Sequence, residues 1–122
     1  TYSKVMADDV TAQIVRLYPA ANTQFNLRHV VNDSFGHALI ENLRLAGFAV
    51  QEATHQSIQQ QIFAAPNQPG TESQKGHALS YIIDQSGDLY HVKLMIDDMR
   101  LSRAFALQAD SIHPAGLWVR KE

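Results

Sequence analysis

Cysteine is absent from the 122 residues, which removes disulfide staples, thiolate nucleophiles and thiolate metal sites together. The fold must form without covalent staples, and a chain this long buries roughly two thirds of its unfolded surface. No apolar run approaches the roughly 18 residues of a membrane-spanning helix. An excess of one charge is missing too: Lys and Arg number 10 against 12 Asp and Glu, for a net charge of -2. The longest basic run is Arg120-Lys121. Capture of nucleic acid needs clustered cations, so no nucleic-acid partner is expected. Neither a Gly-x-Ser-x-Gly elbow nor a phosphate-cradling glycine loop occurs. The chain opens on Thr1 without an initiator Met or signal peptide, and is expected to be a processed form.

What is present reads as an α+β domain. Met6, Val10, Ile14, Leu17 and Tyr18 recur at helical spacing, which predicts a helix over Ser3–Tyr18 that Pro19 stops. Asp8 and Asp9 read as early-helix anions. Thr23–Val30 alternates as a half-buried strand. Asn32-Asp33-Ser34 offers N-caps for a second helix to Ala46, with Phe35, Ala38, Leu39, Leu43 and Ala46 as its apolar stripe. Gly36, in its first turn, is expected to allow close packing against a neighbour. Gly47 is placed to end the helix in the left-handed conformation, and Phe48–Glu52 follows as a strand. From Thr54 to Gly76, glutamines, Pro66, Pro69 and Gly70 predict an exposed loop. Beyond it, Ala78–Asp84, Leu89–Ile96 and Met99–Leu107 alternate around short polar turns and predict a three-stranded antiparallel meander. Leu117–Arg120 is a candidate final strand. The expectation is one domain over 1–122, with two helices packed on a small mixed sheet that ends in the meander.

Chemistry is harder to find. The six histidines, His29, His37, His55, His77, His91 and His113, show no zinc-pair spacing and read as solvated or half-buried side chains. Asp8-Asp9 and Asp97-Asp98 are the adjacent carboxylate pairs, and both sit where helix-start and turn roles explain them. No catalytic, cofactor-binding or metal-ligating residues are expected. The surface is the alternative. Trp118 either closes the core or anchors a partner, and the strand Met99–Leu107 carries no proline to blunt it as a free edge. Leu101, Arg103, Phe105 and Trp118 are therefore the candidate partner-binding residues. The rival expectation is a small enzyme or ligand-binding protein working through His91, His77 and Asp84.

Several segments together carry a family resemblance. They are Leu17-Tyr18-Pro19-Ala20-Ala21, Asp33-Ser34-Phe35-Gly36-His37-Ala38-Leu39, Gly47-Phe48-Ala49-Val50, Leu79-Ser80-Tyr81, Leu101-Ser102-Arg103-Ala104-Phe105 and Pro114–Arg120. In this order the chain resembles the TrbH family of conjugal-transfer proteins, over nearly its whole length apart from Thr54–Lys75. The resemblance implies a small outer-membrane lipoprotein of the type IV secretion apparatus. Its periplasmic domain would be similar to the N-terminal domain of secretins and to DotD-like lipoproteins. It implies other subunits of the secretion channel as partners, contact with the outer membrane only through an N-terminal lipid anchor, and no cofactor. The lipid of such members sits on a Cys that this chain does not contain.

Overall fold

Two helices lie against one face of a mixed seven-stranded sheet, and the apolar periodicities place them there. The computed structural model describes residues 2–53 and 76–121; the loop expected over Thr54–Lys75 lies outside the described residues. Helix α1 (Tyr2–Leu17) turns Met6, Ala7, Val10 and Ile14 inward. A single 3₁₀ turn, Ala20–Asn22, leads into strand β1 (Gln24–Leu27), whose Phe25 and Leu27 are buried. Helix α2 (Ser34–Leu45) is capped by Asp33, whose carboxylate accepts from the Gly36 N–H. Its inward stripe is Phe35, Leu39, Ile40 and Leu43. Gly47 then adopts φ 103°, as its place after the helix requires, and strand β2 (Ala49–Gln51) follows.

The meander forms as the alternation predicts, from β3 (His77–Ser86), β4 (Leu89–Ile96) and β5 (Met99–Gln108). Strand β1 runs parallel to both β2 and β3, and the rest of the sheet is antiparallel, in the order β2-β1-β3-β4-β5. Val92, Leu94, Leu101 and Phe105 meet the two helices in one cluster of buried residues.

Two expectations need correction. Helix α1 begins at Tyr2 and has no acid in its first turn, so Asp8 and Asp9 lie too far along it to answer the helix dipole, which fades within a turn. Asp8 instead accepts from Asn42 of α2 at 2.8 Å, a bond between the two helices. The second correction concerns β5, which is not a free edge. After a two-residue turn, β6 (Ser111–Pro114) pairs antiparallel with its second half, and β7 (Val119–Lys121) pairs with its first. The turn residues Ala109 and Asp110 both have positive φ, 49° and 65°. That is the geometry a tight hairpin demands, built here without the Asn-Gly that usually announces it.

Gly36 joins the helical layer to the sheet. A Cβ added there would lie 2.0 Å from the Tyr81 hydroxyl and 2.3 Å from Val31 Cγ1. The Tyr81 hydroxyl uses that space to donate to Asp33, the α2 cap. Burial pushes this hydroxyl far above the ordinary phenol range, and the hydrogen bond and charge of Asp33 push it the same way, so it remains a donor. A helix-interior Gly costs about 1 kcal/mol against Ala, yet here the smaller residue is required. Gly36→Ala is expected to lower unfolding stability by about 1–3 kcal/mol in urea titration, because overpacking outweighs the propensity gain. A more stable variant would contradict this packing.

Candidate functional site

Arg103 is the most heavily engaged side chain among the sequence-selected residues, and the local register explains why. The Ala115 N–H donates to the Ala104 carbonyl at 2.8 Å, while Val119 stands opposite Ser102. Gly116, Leu117 and Trp118 are therefore all opposite the single residue Arg103, a bulge carrying two extra residues. Arg103 holds that bulge: its Nε donates to the Gly116 carbonyl at 2.9 Å, and its guanidinium lies 5.8 Å from the centre of the Trp118 ring. One terminal nitrogen also donates to both carboxylate oxygens of Asp9 on α1, at 3.0 and 2.9 Å. The Arg103 side chain is 18% exposed, so this pair is screened much less than a surface pair.

The other selected residues lie elsewhere. Leu101 and Phe105, at 1% and 0% exposure, belong to the core because they share the helix-facing side of β5. Trp118 is half-buried and packs against that core, the plainer of its two expected roles. Leu117 beside it is 85% exposed. Thus the structure brings Arg103 and Trp118 together and turns Leu101 and Phe105 away from any surface.

The histidine constellation does not assemble. His91 stands opposite Asp84 at one end of β3, whereas His77 lies seven residues away along that strand, about 23 Å. His77 instead pairs with Asp97 through Nδ1, and its ring packs 4.8 Å from that of Tyr18. Asp97 also accepts from the Ala78 N–H at 2.8 Å. Burial, the largest influence on Asp97, opposes its charge, but the bonds from His77 and Ala78 and the His77 charge together hold its carboxyl below the usual range. Asp97 lies in the β4–β5 turn at a positive φ of 53°, so these contacts fasten that turn to the start of β3. Ser111 and His113 share a hydrogen bond of 2.8 Å on exposed β6. No group of three or more metal-ligating side chains occurs among the described residues. A shallow depression of about 440 Å³ is lined by His37, Ile40, Glu41, Arg44, Leu45 and Glu52, of which Arg44 and Glu52 form an ion pair at 3.3 Å.

The feature that residue-by-residue reasoning missed lies on the sheet face away from the helices. Lys93, Arg100 and Lys121 are exposed there on β4, β5 and β7, close to half-exposed Ile82 and Val119. The strand alternation points Lys93 and Arg100 outward. Only the register of β7 adds Lys121.

The architecture is thus a two-layer α+β fold with one buried and one open sheet face. A family model, conjugal transfer protein TrbH, matches residues 1–122. The chain belongs to this family of conjugal transfer proteins. No curated protein and no solved structure matches it. No helix among the described residues is long and apolar enough to cross a membrane.

Arg103→Ala is expected to cost about 2–3 kcal/mol, since it strands the Asp9 carboxylate and frees the bulge. Trp118 is the only tryptophan, so its fluorescence reads the bulge directly. A red shift in native buffer, together with a lower urea midpoint, is the expected pair of results. Wild-type emission and midpoint would contradict the role assigned to Arg103.

Proposed function

We propose that this protein is a structural subunit of the type IV secretion or conjugation apparatus, docking by protein–protein contacts into the outer-membrane-associated channel complex. The observation that carries the reading is membership of the conjugal transfer family across residues 1–122. Its place is the periplasm, at the outer membrane, reached through an N-terminal lipid anchor outside this sequence. The whole chain acts as one domain, and its partners are other subunits of the channel. The geometry supports docking in one further respect. One sheet face is buried by the helices, while the other carries exposed apolar and charged side chains on a regular lattice of backbone hydrogen bonds. Of the candidate partner-binding residues, Trp118 lies in the bulge that exposes Leu117 and Arg103 holds that bulge, whereas Leu101 and Phe105 are buried in the core.

Deleting the gene from a conjugative donor is expected to abolish plasmid transfer, with recovery when the full chain is supplied in trans. Protease added to spheroplasts should digest the protein, and membrane fractionation should recover it with the outer membrane. Parental transfer from the deletion strain would contradict the assignment to the apparatus. Protection in spheroplasts would contradict the periplasmic location.

A further inference from the structure

We propose that the outer sheet face around Lys93, Arg100 and Lys121 is the docking surface, and that its occupant is an acidic protein surface. The identity of that occupant as a transfer subunit rests on the function proposed above; the chemistry of the face does not. Arg100 and Lys121 are direct cross-strand partners on β5 and β7, so their Cβ atoms lie about 5 Å apart. Lys93 faces Ser102 and is therefore diagonal to Arg100, about 7–8 Å away. All three are exposed, and none forms an ion pair among the described residues. Like charges directly opposite one another destabilise a sheet. This chain carries more acids than bases, yet none of the acids among the described residues is in salt-bridge contact with the three. The fold thus holds two like charges directly opposite each other on this face.

Apolar side chains complete the surface. The row running Ile82, Lys93, Ser102, Val119 crosses β3, β4, β5 and β7. Its ends, Ile82 and Val119, are 49% and 52% exposed. Cations set between exposed apolar side chains offer a partner both water-excluding contacts and charges that set orientation. Charge complementarity specifies the partner: aspartates or glutamates around small apolar side chains. An anionic lipid surface fits less well. Each cation near such a surface is worth about 1 kcal/mol, and the apolar groups lie within the pleated plane rather than on a projecting tip. Nucleic acid fits less well still, because about 6–10 phosphate contacts are typical of binders dominated by phosphate neutralisation.

The test is Arg100→Glu, which places a carboxylate opposite Lys121. It should leave the urea midpoint of the purified protein unchanged or raised, because repulsion becomes attraction. In a donor lacking the chromosomal or plasmid copy, the same variant should lower transfer by about tenfold or more, the loss of one good charged contact. A photo-crosslinking amino acid at Ile82 should join the wild-type chain to a protein neighbour, and Arg100→Glu should reduce that adduct. Lys121→Glu, on the short outer strand, serves as the second variant and should behave the same way. Full transfer by both variants would overturn the proposal, as would an unchanged adduct. Pelleting with phosphatidylglycerol vesicles that Arg100→Glu abolishes would overturn it in favour of a lipid surface. These outcomes differ from failure of the functional reading, in which the deletion strain itself transfers normally.

Discussion

The guanidinium of Arg103 reaches three parts of the molecule at once: the Asp9 carboxylate on α1, the Gly116 carbonyl and the Trp118 ring. Planar, fixed-fork donors suit such a junction, and a lysine could not replace it. Its consequence is topological. Because the bulge at Gly116–Trp118 absorbs two extra residues, the chain can pair with both halves of β5, through β6 and then β7, without leaving the edge between them open. Trp118 is thereby seated against the core, and α1 is tied to the sheet by a charge pair as well as by burial.

With β5 enclosed, the sheet formed by the described residues ends on short strands that resist further pairing. β2 has three residues, and Arg44 of α2 donates to its Val50 carbonyl at 3.1 Å. On the other side, Pro114 stands opposite Phe105. The neighbouring Ala115 N–H points inward, so by alternation the position of Pro114 faces out, where a missing N–H costs nothing. Short strands, proline and a bulge are standard protection against edge-to-edge association. In the proposed docking role, such edges leave side chains on a face to make the contacts. Strand addition to β5 would require the final segment to be displaced first.

Much of this architecture was legible because it depends on short-range rules. The stripe Met6, Val10, Ile14 requires a buried helix face, Asp33 reads as a cap, and Gly47 reads as a left-handed stop. Tyr90–Ile96 alternates so regularly that its inward face is unambiguous. What escaped depends on pairs distant in sequence. Ala109-Asp110 is poor turn chemistry, since alanine at positive φ is costly, so nothing local announced β6 or the return along β5. The expectation of a free edge depended on that unannounced strand, and Leu101 and Phe105, candidates along it, lie buried in the core. Arg103 was selected, but its engagement with Asp9 spans 94 positions. The basic face was illegible for the same reason: ten cations look scattered until strand register gathers three of them. The family resemblance was readable from ordered short segments. Assignment to conjugal transfer follows from family membership, whereas the proposed docking surface had to come from geometry.

Hydrogen exchange along β5 tests the central claim that this strand is interior. The Ala104 carbonyl accepts from Ala115, so the N–H groups of Ser102 and Ala106 face β7 and β6, whereas those of Leu101 and Phe105 face β4. In the full chain, amide exchange read residue by residue should show both sets slowed, with Ser102 and Ala106 protected far beyond the turn amides of Gly87 and Asp88. If Ser102 and Ala106 exchange as fast as those turn residues while Leu101 and Phe105 stay protected, β5 is an open edge. The enclosure held by Arg103 would then not exist in solution.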